Sequence, residues 1–357
     1  MGAPLKTLIP QIATIAILCL LLINAARSYA GKLNLIDRPA GRKQHVGEIP
    51  TVGGLAIYCA FFLGTSLEFG LFSHYAVLLT TMGFLVVVGA LDDAVDVSPY
   101  KKLAAQILSA VALVAAGGLS PVGWEYASEL GAVAMLVSVG FTLFVILMTI
   151  NAVNMVDGVD GLSGSMVAVS LAWLGLAAAL SGSTQTTTII VRLIVPVIAF
   201  LAFNLRAPWR KRASVFMGDA GTMMLGCAIA WFCLELNGRG VPLLACGLVV
   251  AIPLVDTGSL FFRRIGAGKS PFRGDRLHLH HLLLAAGVDA ATVTVLLTSG
   301  AAVLGGIGVL GWHLHFAEST FVCTWLLVLA GHTGLVSVLS HRAASDAPVR
   351  SRVETAR

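Results

Sequence analysis

Long apolar runs alternate with short polar connections along almost the whole chain. Runs near the length that crosses about 30 Å of hydrocarbon, roughly 17 to 25 residues, fall at approximately 8–26, 51–69, 75–91, 103–119, 132–150, 162–180, 187–203, 219–236, 241–258, 289–310 and 320–339. Hydrocarbon offers no partner to free backbone N–H and C=O groups, and a helix satisfies its own. The pattern therefore predicts an all-α polytopic membrane protein with about eleven transmembrane helices. The first run ends in "ARSYA", which has the small-residue look of a signal cleavage site. It is long for such a segment, however, carries a single N-terminal Lys, and is followed at once by Arg27, Lys32, Arg38, Arg42 and Lys43. It reads as a membrane span.

Composition agrees and adds an orientation. Of 357 residues, 57% are hydrophobic and only 11% charged, far from an ordinary soluble domain. If the first connection faces the cytoplasm, 20 of the 23 Lys and Arg residues lie on that side, and only Lys6, Arg192 and Arg239 on the other. The positive-inside rule then places the N-terminus out and the C-terminus in. The basic residues are split among separate loops without interleaved aromatics, so the net charge of +5 is a topology signal and speaks against a nucleic-acid partner. Residues 1–340 read as one transmembrane domain and 341–357 as a disordered cytoplasmic tail. Cys19, Cys59, Cys227, Cys233, Cys246 and Cys323 lie in apolar runs with no CxxC pair and read as small hydrophobes.

The same orientation gathers the acids on one face. Asp92, Asp93 and Asp96 of "LDDAVD" follow the third run, Asp157 and Asp160 follow the fifth, and Asp219 opens the eighth. Asp275, His278, His280 and His281 lie in the long loop after the ninth. A solvated helix end explains one such carboxylate as well as any function does; it does not explain three clusters on one side. Adjacent carboxylates repel unless a cation or donor compensates them. A hard divalent cation such as Mg2+, held by one or two carboxylates plus substrate phosphates, is the natural compensator. Helical spacing puts Asp92 and Asp96 on one face and Asp93 on another. In "SPYKK", Ser98 suits an N-cap and Pro99 the first helical position. Lys101 and Lys102 then oppose the helix dipole, a conflict that a phosphate-bearing partner would resolve; contact with lipid headgroups is the plainer reading.

"NAVNMVDGVDGLSG" places Asn151 three residues before Asn154 and Asp157 three before Asp160, with Gly158, Gly161 and Gly164 allowing tight turns. Each pair shares a helical or turn face. Asx-turn capping explains one or two of the four, and together they offer oxygen ligands for a cation and acceptors for a base or ribose. In "FMGDAGT", Asp219 is either the N-cap of the next helix or an acid that anchors a metal beside backbone amides favouring a phosphate. "DRLHLHHL" joins Arg276 to His278, His280 and His281. Zinc would want a cysteine or a second histidine cluster nearby, and guanidinium and imidazole donors suit a diphosphate better. "GAGKS" at 266–270 lacks the earlier glycine of a P-loop. His74, His313, His315, His332 and His341 acquire no role.

In order along the chain, "DRPAGRKQH", "PTVGG", "LDDAVD", "NAVNMVDGVDGLSG", "FMGDAGT" and "DRLHLHHL", between about Leu35 and Val288, resemble the polyprenyl-phosphate N-acetylhexosamine-1-phosphate transferases, and within them the N-acetylglucosamine branch. The resemblance implies that the single domain is catalytic. It implies transfer of a sugar-1-phosphate from a UDP-N-acetylhexosamine to undecaprenyl phosphate with release of UMP, at cytoplasmic loops of a multi-pass protein of the bacterial inner membrane. The product would open a cell-envelope glycan such as the O-antigen of lipopolysaccharide. Mg2+, or Mn2+ in its place, is the implied cofactor; the bilayer is a partner, and a homodimer is left open. Carried over by motif, Asp92, Asp93 and Asp219 are implied to be catalytic, and Asp219 and Asn154 to contact the metal. Arg42, Lys43, His45, Lys102, Asn151, Asp157, Asp160, Asn204, Arg276, His278, His280 and His281 are implied to bind substrate, with Asp256 a weaker candidate.

A phosphate monoester has a second pKa near ~6 and is largely a dianion at neutral pH, so its difficulty is approaching another anion rather than losing a proton. That weights charge neutralisation by Mg2+, Lys102, Arg276 and the histidines above base catalysis. Direct in-line attack, with Asp92 taking any remaining proton, precedes a covalent phospho-aspartate on Asp219 or Asp92. The alternatives are the same chemistry with another UDP-N-acetylhexosamine or with UDP-N-acetylmuramoyl-pentapeptide, and, in a different class, a secondary transporter. Transporters usually keep ionisable groups near the bilayer midplane, often within inverted repeats, and neither feature is evident here. A purely structural scaffold leaves the acids unexplained.

Overall fold

The computed structural model describes residues 5–38, 47–208, 210–266, 268 and 277–354, with side chains described between 9 and 342. Among them the chain is helical almost throughout. A single two-stranded ribbon, β1 (Ile36–Asp37) against β2 (Ile49–Pro50), closes the base of the first loop. Nine segments among the described residues are long and apolar enough to cross a membrane. They lie in α1 (Leu5–Tyr29), α4 (Ala76–Val95), α7 (Ala132–Met155), α8 (Leu162–Leu180), α9 (Thr184–Asn204), α10 (Gly218–Asn237), α11 and α12 (Leu243–Gly247 and Ala251–Gly266), α14 (Ala290–His313) and α15 (Glu318–Glu354).

The two other predicted spans are helices of a different kind. The run at 51–69 folds as α2 (Gly53–Ser66), only 14 residues, and then turns into α3 (Phe69–His74). The run at 103–119 belongs to α5 (Pro99–Ala116), whose first turns carry Lys101 and Lys102. α6 (Trp124–Leu130) and α13 (Leu279–Ala285) are short connectors. The α11–α12 span is broken by a 3-10 turn at Leu248–Val250, with Pro253 in the first turn of α12, where a missing N–H is tolerated.

The bundle is built around α10, in which every residue from Ala220 to Leu234 is buried. Such a helix needs small residues on more than one side, because helices inside a membrane gain from close backbone packing. A Cβ on Gly89 of α4 would lie 2.3 Å from the Ala220 nitrogen, and one on Gly54 of α2 would lie 2.1 Å from the Gly221 nitrogen. Three helix backbones therefore touch at the amino end of α10. The carboxyl ends of α4 and α7 and the amino ends of α5 and α8 meet there too.

The opposite end of the bundle is polar in a different way. Arg192 of α9 is fully buried and donates to Glu68 (2.6 Å), Gln11 (2.6 Å) and the Gly64 carbonyl (3.3 Å). Glu235 accepts from Thr186 (2.6 Å), Trp231 (3.0 Å) and Tyr75 (3.1 Å). Removing one partner of a fully buried pair costs about 3–5 kcal/mol; Glu68 is 40% exposed, so the loss here is smaller. Glu68→Ala is expected to lower the melting temperature in detergent by several degrees, whereas Glu125→Ala, at an exposed position on α6, leaves it unchanged. Equal melting of the two would show that Arg192 needs no counter-ion.

Candidate functional site

The amino end of α10 is capped from another helix. Gly218 opens α10 with φ at +71°, and a Cβ there would lie 2.3 Å from Asp93 Oδ2, so both backbone and space call for glycine. The Asp93 carboxylate accepts the Asp219 N–H (3.1 Å) and lies 3.5 Å from the Ala220 nitrogen. This corrects two expectations at once. Asp219 makes no N-cap bond, and the amides expected to favour a phosphate are occupied by Asp93. A carboxylate suits that position for the same reason a phosphate would, since the dipole end and the free N–H groups favour an anion.

Asp92, one residue earlier, faces elsewhere, as helical spacing predicts. Its Oδ1 accepts the Val97 N–H (2.7 Å), closing the turn after α4, and its Oδ2 accepts from Lys102 Nζ (2.7 Å). Lys102 Nζ also reaches Asp219 Oδ2 (3.1 Å). The conflict between a lysine and the amino end of α5 is thus resolved by two carboxylates from α4 and α10. Ser98 and Pro99 begin α5 as expected, although the Ser98 hydroxyl makes no capping bond. Burial alone would lower the Lys102 pKa; the Asp219 and Asp92 carboxylates more than offset it and hold the ammonium above its ordinary value. Asp96 leaves α4 in the left-handed region (φ 56°) and is exposed, so it does not share the face of Asp92.

Asn154 donates through Nδ2 to Asp219 Oδ1 (2.9 Å) and to Thr222 Oγ1 (2.7 Å). It orients Asp219, and only its carbonyl oxygen would serve a cation. Asn151, three residues back, pairs instead with Gln106 of α5, its Nδ2 2.7 Å from Gln106 Oε1. The Asp157–Asp160 pair is divided in the same way. Asp160 accepts from Arg206 (2.8 Å) and the Ala213 N–H (3.0 Å), while Asp157 is exposed and has no side-chain hydrogen bond among the described residues. Crowding by protein on its inner side, then the Asp219 and Asp160 carboxylates, push the Asp157 carboxyl up to about 7. Asn204 is buried, accepting the Gly161 N–H (2.9 Å) and donating to the Val215 carbonyl (2.9 Å); it ties the loop before α8 to the segment before α10.

The histidine loop docks beside these residues. Gly158 faces His280 so closely that a Cβ there would lie 2.3 Å from the ring Nε2. His280 is 1% exposed, stacks on His278 with centroids 5.6 Å apart, and has neither ring nitrogen bonded. Burial, then the neighbouring His281 and His278, pull its pKa down to about 3. His281 adjoins it at 4.2 Å between ring centroids. His278 Nδ1 donates to Asp256 (2.7 Å). Arg42, Lys43, His45 and Arg276 lie outside the described residues.

Among the described residues no group of three His, Cys, Asp or Glu side chains forms a metal cage. An open Mg2+ site does not require one, since substrate phosphates complete it. The Lys102 ammonium lies between Asp92 and Asp219 and bridges this pair of carboxylates.

Comparison with known proteins adds a family. The sequence pattern of glycosyl transferase family 4 matches residues 75–237. The undecaprenyl-phosphate alpha-N-acetylglucosaminyl 1-phosphate transferase of Escherichia coli (strain K12) is 36% identical over 340 residues, covering 91% of this chain and 89% of that one. Those of Salmonella typhi (35% over 338 residues; 91% and 89%) and Haemophilus influenzae (34% over 293 residues; 80% and 81%) are similar to it as well. The chain belongs to glycosyl transferase family 4. Within this family 4 chain, sequence reasoning missed Thr222, Gln106 and Arg206 as partners of the site residues, and gave His332 no role. Thr222 alone had a local signal, lying three residues after Asp219 on the same helix.

Because the folded His280 ring resists protonation down to about 3 and an unfolded one titrates near 6.5, its contribution to stability is complete above ~6.5 and is lost as pH falls below that. His280→Phe, which cannot titrate, is therefore expected to lose less melting temperature than the parent between about pH 7 and about pH 5. Parallel pH profiles would show that the His280 ring titrates like a free one.

Proposed function

We propose that this family 4 enzyme transfers N-acetylglucosamine-1-phosphate from UDP-N-acetylglucosamine to undecaprenyl phosphate and releases UMP. The reaction takes place at the cytoplasmic face of a bacterial inner membrane, with the N-terminus out and the C-terminus in, as the first membrane step of a cell-envelope glycan such as O-antigen. The observation that carries this reading is the bridge from Lys102 to Asp92 and Asp219 at the end of the bundle where α4, α5, α7, α8 and α10 meet. The relatives, named as undecaprenyl-phosphate alpha-N-acetylglucosaminyl 1-phosphate transferases, support the lipid acceptor and the transferred sugar phosphate.

Asp219 and Asp92 are the groups that would hold Mg2+, with the Asn154 carbonyl oxygen as a further candidate. Bound there, the ion supplies neutralisation of the diphosphate charge. Lys102 adds a fixed positive charge where two anions must approach each other, and a preorganised charge of this kind is worth more in a water-poor site. An oxygen of the lipid phosphate attacks the β-phosphorus of the nucleotide sugar, and the bridging P–O bond to UMP breaks. Direct attack is preferred to a phospho-aspartate because Asp92 and Asp219 are both engaged with Lys102 and Asp93 is engaged with backbone amides. Asp93 holds the start of α10, and therefore Asp219, in place.

Purified protein in detergent with undecaprenyl phosphate and Mg2+ is expected to release UMP from UDP-N-acetylglucosamine, and not from its N-acetylgalactosamine or N-acetylmuramoyl-pentapeptide counterparts. Removing Mg2+ with a chelator should abolish release, and adding it back should restore it. Asp219→Asn, Asp92→Asn and Lys102→Ala should each lower kcat by about 100-fold or more. Release from another sugar would overturn the substrate, and no release from any, with folded protein, would overturn the transferase reading.

A further inference from the structure

The last membrane helix brings an unexpected group to the histidine loop. His332 lies in the apolar stretch Glu318–Arg342, where a polar, titratable side chain is expensive and usually functional. Its side chain is 5% exposed and its Nε2 lies 3.0 Å from Asp256 Oδ1; Asp256 is also 5% exposed. A carboxylate only accepts, so His332 carries its donated proton on Nε2, and its Nδ1 has no partner. The same Asp256 carboxylate accepts from His278 Nδ1 (2.7 Å) and from the Leu279 N–H (2.9 Å). Three donors, from α15 and from both ring and backbone at the start of α13, thus converge on one acid of α12.

A satisfied buried polar cluster would be the plain account of these contacts. It does not explain why the cluster is there, since apolar side chains at 256 and 332 would pack in a membrane helix pair at no polar cost. What the cluster achieves is specific to His278. With Nδ1 committed to Asp256, the ring has one orientation and a single remaining nitrogen, Nε2, as its working atom. A carboxylate that fixes tautomer and ring plane is how histidines in active sites are commonly held. Asp256 could rotate away if only His278 and Leu279 held it, and His332 removes that freedom from the far side.

We infer that His332 is a positioning residue: by holding Asp256 it fixes the His278 ring toward the sugar diphosphate, so that the last membrane helix is part of the working site. The inference rests on the transferase reading above together with the family resemblance, which implies that His278 binds substrate.

The test uses the full chain in detergent and follows UMP release. Gln at 332 places an amide donor near the position of Nε2, and Asn places it short of Asp256. His332→Gln is expected within about threefold of the parent in kcat, whereas His332→Asn and His332→Leu fall about tenfold or more, in the range contributed by outer partners of a working histidine. KM for UDP-N-acetylglucosamine should stay within about twofold, because orientation and not binding is lost. In a His278→Ala background the substitutions at 332 should cost nothing further, the signature of residues acting through one another. Should His332→Leu fail to fold, the Gln and Asn variants still decide the question. Equal kcat for Gln and Asn, or a full-size loss persisting without His278, would overturn the inference while leaving the transferase reading intact. A parent that releases no UMP would overturn both.

Discussion

The amino end of α10 is buried inside the bundle, and its free amides must be answered by a group that α10 cannot itself supply. Asp93 of α4 answers them. That one capping interaction requires Gly218 at the turn and Gly89 at the crossing, since a side chain at either position would collide with the partner helix. Once α4 and α10 are locked in this register, Asp92 and Asp219 come together, and two carboxylates side by side need a cation between them. Lys102 fills that need from the first turn of α5. The relative placement of three helices thus follows from satisfying one helix terminus and one pair of like charges.

What could be read along the chain was whatever repeats locally. The nine long apolar helices coincide with nine of the predicted runs, with ends shifted by at most eight residues, because a membrane span is defined by length and composition alone. The split between Asp92 and Asp93 also follows from local geometry. What could not be read depended on partners remote in sequence. Asp219 looked like an N-cap, and the residue that caps its helix is Asp93, 126 positions earlier. Asn151 and Asn154 share one helix, yet α7 lies between α5 and α10, so one amide serves Gln106 and the other Asp219. His332 carried no motif at all; its meaning appears only when α15 packs beside α12 and brings it to Asp256, 76 positions away.

Several residues singled out by sequence work in the structure on the scaffold. Asn204 spends both ends of its amide on backbone groups, and Asp160 is paired with Arg206. Their polar character is needed because each ties a loop to a helix end where the chain changes direction, and such backbone groups must be satisfied when buried. They bear on the site by fixing where Asp157, Gly158 and Asp219 stand. Polar residues in these motifs therefore divide into those that meet at the amino end of α10 and those that hold the motif in shape, and spacing alone does not separate the two.

The two polar ends of the bundle differ in how their acids are paired. At the far end Arg192 meets Glu68 and Arg239 meets Glu235, one cation to each of these acids. At the site end Asp92 and Asp219 converge on Lys102, Asp93 lies against the amino end of α10, and Asp160 takes Arg206. Backbone amides offset Asp93, but Asp92 and Asp219 still share one ammonium. Two carboxylates on one ammonium leave a local acid surplus, which a further cation would offset. The same surplus would repel a phosphate arriving alone. The proposed substrate, a nucleotide diphosphate arriving with a divalent cation, would answer that surplus.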